Sequence, residues 1–278
     1  MALPVVSLTV SGVGAQVVLP DATWAAALAP LYHEFPLSGA VDWHVTLRYD
    51  PALPRADPPW IRHDQAITRF HLHRIAGEID FAAQQIEVTS VSVDMAASAL
   101  ERAVAYGVLY SLLRRNGLLL HAAGIQWQGR GLIVAGHSGA GKTTLARLAV
   151  GHAQPFNDEI VIADLAGPQP LLRSTPFLGF GTPPELQQRI CRTCPATLLL
   201  LPAHGSEFAL QPLEPAQAVL ELLRSNIAAV DRPAHATRWL ELVQRLLQQV
   251  PAYRLVFYPS TAVWDFLADT LGDSPCAS

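Results

Sequence analysis

The chain has 278 residues, of which 50% are hydrophobic and 15% charged, and its formal net charge is -4. That is ample for a sizeable core in one large domain or two ordinary ones, and it leaves no net positive field to hold a nucleic acid backbone. No apolar run reaches the roughly 20 residues of a membrane helix, Met1-Ala2-Leu3-Pro4 opens no secretory signal, and three cysteines make no disulfide framework. A soluble cytoplasmic protein is therefore expected, with neither nucleic acid nor membrane as a partner.

Residues 1–93 read as a β-rich N-terminal domain, with strands predicted at 5–10, 15–19, 43–49, 66–73, 77–81 and 85–91 from their alternation and aromatic content. Residues 22–32 suit one short helix, and the proline density of residues 51–59 predicts a loop. No catalytic constellation falls in this stretch. Its strand edges suit the docking of a peptide as an added strand. His71 and His73 are two apart and share one strand face, but no third ligand is placed near them, so a solvated face is expected.

A second domain is expected over residues 94–278. Asp94 reads as an N-cap, the apolar positions Leu100, Val104, Val108, Leu109 and Leu112 follow, and Gly117 lies past the end, which predicts a helix of about five to six turns. Arg114-Arg115 suits the negative end of its dipole. Residues 118–125 and 132–135 then read as two strands joined through Gln128-Gly129-Arg130-Gly131, a hairpin.

The second arm of that hairpin runs into Gly136-His137-Ser138-Gly139-Ala140-Gly141-Lys142-Thr143-Thr144. Lys142 is the one lysine of the chain; every other basic position among Lys and Arg is arginine. The pattern G-x-x-x-x-G-K-[ST] between a strand and a helix is a phosphate-binding loop, or Walker A motif. Its glycines let backbone N–H groups close around phosphate oxygens, and a compact ammonium on a flexible stem reaches where a planar guanidinium would not. Residues Gly136 to Thr144 are thus the expected ATP-binding segment, and the hydroxyl of Thr143 would complete the shell of a Mg²⁺ ion.

After a helix over residues 144–150 come Phe156-Asn157-Asp158-Glu159, a strand at 160–163 and a turn at 167–170. Cys191-Arg192-Thr193-Cys194 spells C-x-x-C, yet no second pair exists; the segment reads as a helix with structural cysteines, and Cys276 lies near the C-terminus.

These pieces resemble the catalytic domain of the HPr kinase/phosphorylase family and its shorter relatives associated with peptide-modification gene clusters. In that family a histidine-containing strand precedes a loop of the form G-x-S-G-x-G-K, and an acidic pair follows the loop helix. His121, Gly136 to Thr143 and Asp158-Glu159 stand at matching positions. The likeness runs from about Leu118 to about Phe177 and, more faintly, to Pro251-Ala252-Tyr253-Arg254-Leu255 and Trp264. The family's loop usually ends Lys-Ser-Glu and its acidic pair is two aspartates, whereas this chain has Lys142-Thr143-Thr144 and Glu159. A glycine-rich Arg-Gly-Leu-Gly-type segment, which bears on the reverse phosphorylase reaction, is missing, and residues 1–93 show no match.

The resemblance implies an α/β P-loop kinase domain of the HPr kinase/PEP carboxykinase-like type with a mixed sheet, preceded by the smaller β-rich domain. It implies ATP and Mg²⁺ as cofactors, a small protein or ribosomal peptide bearing serine as substrate, and is compatible with a homo-oligomer. Phosphoryl transfer needs placement, charge neutralisation and a destination for the hydroxyl proton. Lys142, Thr143 and the loop amides would serve the phosphates, Asp158 would take the proton or orient the hydroxyl, and Glu159 would support the metal. Asp164, at the end of an apolar strand, competes with Asp158, which is preferred because the acid precedes the strand in the resembled family. His121 contacts phosphate or tunes the base, or else is a satisfied core histidine. Arg130, Arg173 and Thr175 are further candidates for bordering the substrate. Two other readings are a phosphate-loop kinase of a small hydroxylated metabolite and a non-catalytic, ATP-dependent peptide-binding module.

Overall fold

The computed structural model describes residues 2–64, 66–179, 181–226 and 233–272. The chain divides into two units, Met1–Leu112 and Leu113–Ser278, each built on one mixed sheet.

The first unit contains β1 (Val5–Val10), β2 (Val13–Val18), α1 (Ala22–Leu28), β3 (Trp43–Tyr49), β4 (Ala56–Asp64), β5 (Ile67–His73), β6 (Ile75–Asp80), β7 (Gln85–Ser90) and α2 (Ala96–Arg114). The sheet order is β1-β2-β3-β7-β6-β5-β4, with β3 parallel to both neighbours. Alternation sets which side chains are buried: in β7, Ile86 and Val88 point into the core and Gln85 and Glu87 to solvent. The predicted strands are present with ends shifted by at most two residues; β4 is an additional strand that starts inside the predicted 51–59 loop and runs beyond it. It is the last strand of the sheet, where one side needs no ladder partner, so Pro58 and Pro59 forfeit little, and its register shifts between Ala56 and Trp60. His71 Nε2 lies 2.9 Å from the Pro54 carbonyl.

Sequence periodicity grouped α2 with the second domain; its packing counts it with the first unit. Trp43 Nε1 donates to Ser111 Oγ at 2.9 Å, and a Cβ at Gly107 would lie 2.9 Å from the Trp43 ring, so helix and β3 touch backbone to indole. An apolar stripe states that a helix has a buried face, not which sheet covers it.

The second unit contains β8 (Gly117–Trp127), β9 (Arg130–Ala135), α3 (Lys142–Ala149), β10 (Gln154–Asn157), β11 (Ile160–Asp164), β12 (Leu171–Arg173), β13 (Thr193–His204), β14 (Ala209–Pro212), α4 (Pro215–Ser225), α5 (Pro233–Leu247), β15 (Ala252–Phe257) and α6 (Val263–Leu271). β8 and β9 form the expected hairpin, tightened to a two-residue turn in which Gln128 and Gly129 have φ of 50° and 76°. β11 pairs with the first half of β8, β12 joins β11 to β13, and β13 runs parallel to β9, so the ladder returns to β8 and closes. Gly131 admits the close approach of β13: a Cβ there would lie 2.5 Å from the Pro195 carbonyl oxygen and 2.8 Å from Cys194 Sγ.

β15 flanks β13 on the other side, also parallel, which places the C-terminal ends of β9, β13 and β15 on one edge. The run Leu198 to Leu201 is buried throughout, as a strand covered on both faces requires. Leu145, Ala146 and Ala149 of α3 pack on this region with Ile125, Val134, Leu200 and Phe257.

One further expectation changes. The C-x-x-C segment is not helical: Cys194 is buried within β13 and Cys191 is exposed before it, both as free thiols, because a spacing of three carries no periodicity of its own. Cys276 lies outside the described residues. Among the described residues, no three His, Cys, Asp or Glu side chains cluster as a metal site, and no helix is long and apolar enough to cross a membrane.

Candidate functional site

β9 delivers the chain into a loop of three glycines with positive φ, Gly136 at 151°, Gly139 at 81° and Gly141 at 110°. A side chain at Gly141 would be strained by that φ and would also meet the Phe257 ring at 3.0 Å, so β15 forms the floor of the loop. Ala140 N–H donates to His137 O at 3.1 Å. His204, at the end of β13, has Nε2 2.9 Å from Gly139 O; a carbonyl only accepts, so Nε2 carries the proton. The α3 N-terminus follows directly, with no side chain capping its first N–H groups.

Lys142, 7% exposed, donates from Nζ to Gly136 O at 2.8 Å and to His137 O at 3.4 Å. Burial lowers its pKa from the ordinary lysine value, and the Glu159 and Asp158 carboxylates oppose that shift. The ammonium thus folds back on the loop's carbonyls, within reach of the space the loop encloses.

The acidic pair lies between β10 and β11 and is held by Asn157, which is 1% exposed. Its Nδ2 donates to Phe177 O at 2.6 Å and Thr175 O at 3.3 Å, and its Oδ1 accepts from Glu159 N at 2.7 Å and Ile160 N at 3.2 Å. Asp158 is buried, yet both carboxylate oxygens are partnered by hydroxyls. Thr143 Oγ1 donates to Oδ2 at 3.1 Å and Thr182 Oγ1 to Oδ1 at 2.8 Å. Glu159 turns the other way: its carboxylate stands 3.6 Å from His121 Nε2, with both side chains partly exposed. His121 is therefore at the cleft edge and not in the core; its backbone N–H donates to Asn226 Oδ1 at 2.6 Å.

Loop, helix start and acidic turn enclose a cleft of about 310 Å³ lined by His121, Ser138, Gly139, Gly141, Lys142, Thr143, Thr144, Asp158 and Glu159. Of the other predicted loop residues, Gly136 and Ala140 are buried and His137 is exposed outside the lining. Asp164 is elsewhere, at the far end of β11, paired with Arg173 Nε at 2.9 Å. Arg130 lies at the hairpin turn, donating to Gly272 O at 2.9 Å, and Thr175 is buried with its hydroxyl on Ile160 O at 2.7 Å. None of these four lines the cleft.

Hard oxygen donors suit Mg²⁺, which keeps several waters and takes few protein ligands. Thr143 Oγ1 and Asp158 Oδ2, 3.1 Å apart with Glu159 next in sequence, fit such an ion, although among the described residues no three His, Cys, Asp or Glu side chains form a complete cage.

Fold and site together define a mixed α/β protein with two mixed sheets, in which a glycine-rich strand–loop–helix turn faces an acidic turn. No protein-family model matches the chain, and no curated protein matches it. Among solved structures, it is similar to the Hpr(Ser) kinase/phosphatase from Coxiella burnetii over 55% of this chain and 92% of that one, at 14% identity and a TM-score of 0.30. That is a distant resemblance, below what a shared fold requires.

Proposed function

We propose that the protein is an ATP-dependent kinase that transfers the γ-phosphoryl group to a serine hydroxyl of a small protein or ribosomal peptide. The observation that carries this reading is the meeting of Lys142, Thr143 and Asp158 in one cleft, with the Thr143 hydroxyl 3.1 Å from the Asp158 carboxylate. The loop amides and the α3 N-terminus cradle the phosphates, with the positive end of the helix dipole favouring their charge. Lys142 exchanges its two carbonyl partners for phosphate oxygens, trading neutral acceptors for charged ones. Thr143 and Asp158, with Glu159 beside them, would hold Mg²⁺, which when bound would supply charge neutralisation on the phosphates.

Asp158 orients the incoming serine hydroxyl and takes its proton on a carboxylate lone pair not used by the two threonines. His121 and Glu159, partly exposed at the cleft edge, meet the acceptor side.

The test is a phosphoryl-transfer assay with γ-labelled ATP, Mg²⁺ and serine-containing peptides encoded by neighbouring open reading frames. Phosphoserine is expected from the wild type, with loss in Lys142→Ala and a fall of roughly 10²- to 10⁴-fold in Asp158→Asn. ATP binding without transfer to any peptide or small hydroxyl compound would replace the kinase by a nucleotide-dependent binding module.

A further inference from the structure

We infer that Thr182 is a positioning residue for Asp158, setting the carboxylate orientation in which that acid meets Thr143 and the Mg²⁺–nucleotide. The inference rests on the kinase reading above and adds a residue that neither the loop motif nor the acidic pair includes.

Thr182 is 6% exposed, and the directions of its hydrogen bonds are forced. The Gly179 N–H can only donate, at 3.1 Å to Thr182 Oγ1, so the hydroxyl accepts there and its own proton is turned toward Asp158 Oδ1, 2.8 Å away. On the other carboxylate oxygen the donor is Thr143 Oγ1 from the first turn of α3. With one hydroxyl on each oxygen, supplied by segments 39 residues apart, rotation of the carboxylate breaks one bond or the other. Its remaining lone pairs are thereby aimed.

Thr182 is itself anchored. Its backbone N–H donates to Gly179 O at 3.2 Å, its carbonyl accepts from Gln187 Nε2 at 2.9 Å, and Leu186 just beyond is buried in the core under α3. The same turn brings Gly179 against the second acid, where a Cβ would lie 2.9 Å from Glu159 Oε2. Both carboxylates are thus backed by one stretch of chain. A threonine hydroxyl is required at position 182, whereas its methyl is not.

ATP affinity of the full chain, measured calorimetrically with and without Mg²⁺ alongside the thermal midpoint, tests this in wild type, Thr182→Val and Thr182→Ser. Thr182→Val is expected to keep Mg²⁺-free ATP affinity within about twofold while losing roughly tenfold of the Mg²⁺-dependent gain, the scale of a lost outer partner to a metal ligand. Thr182→Ser is expected to restore the gain; Thr182→Ala replaces the valine variant if that does not fold. A valine variant with the wild-type gain, a serine variant as deficient as valine, or a wild type indifferent to Mg²⁺ overturns the inference. A wild type that binds no ATP under either condition overturns the nucleotide reading itself.

Discussion

Replacing Asn157 by alanine removes the side chain that holds the acidic turn to the segment carrying Phe177. The amide is 1% exposed and makes three short or well-placed bonds, to Phe177 O at 2.6 Å and from Glu159 N at 2.7 Å and Ile160 N at 3.2 Å. Alanine strands those three backbone groups, and the Thr175 carbonyl as well, where neighbouring atoms restrict water. At about 1 kcal/mol for each lost bond, and more where the stranded group stays dry, the loss of stability comes to about 3 kcal/mol. With a urea m-value of roughly 3 kcal/mol/M, the unfolding midpoint falls by about 1 M. Asn157→Asp is expected to be at least as damaging, because it keeps the Oδ1 acceptor but turns the donor into an oxygen facing Phe177 O and Thr175 O. A loss below about 1 kcal/mol for Asn157→Ala would refute the claim that this amide organises the turn.

Burial lowers the Lys142 pKa from 10.5, so the unfolded chain holds that proton more tightly than the folded one. As pH rises from the folded value toward 10.5, the unfolded state is the one carrying the extra proton, and this group adds stability to the unliganded protein. The stability of the wild type relative to Lys142→Met should therefore increase across that window; a difference that stays flat in urea midpoints contradicts the buried ammonium. Burial also pushes the Cys194 thiol up to about 11, leaving roughly one part in a thousand as thiolate at pH 8. Iodoacetamide at that pH should label exposed Cys191 and spare Cys194 until urea unfolds the chain, as read by peptide mapping; comparable native rates at both would place Cys194 at the surface.

The parts of the site legible in the sequence are those whose physics is local. A glycine that must adopt positive φ, a lysine one position after it and a hydroxyl next to that act within a single turn, so Gly136 to Thr143 declare their conformation without reference to the remaining chain. Asp158 and Glu159 were visible as carboxylates, and as a pair by likeness to a family, but their opposite orientations were not. Those are decided by Asn157, Thr182 and Gly179, whose partners lie up to 24 residues away in irregular segments with no period to read. His204 is farther still, 65 residues from the glycine it meets. In the first unit, alternation located the strands with a buried face, whereas β4, exposed along nearly its whole length, offered only its prolines. The destination of Asp164 was hidden for a related reason: it depended on Arg173, on a strand of three residues too short to carry a pattern.

Trp264 donates its indole N–H to Leu148 O at 2.7 Å, across 116 residues, and Phe257 lies under Gly141. The glycine loop is made early and its floor and helix clamp come late, so a ribosome must synthesise more than a hundred further residues before the loop can be completed. A nascent chain that has just exposed Lys142 has the motif without the architecture beneath it. Any shortened form ending before β15 would retain every residue that marks the loop in sequence while lacking the aromatic ring on which Gly141 rests, and its activity could not be inferred from the presence of the motif.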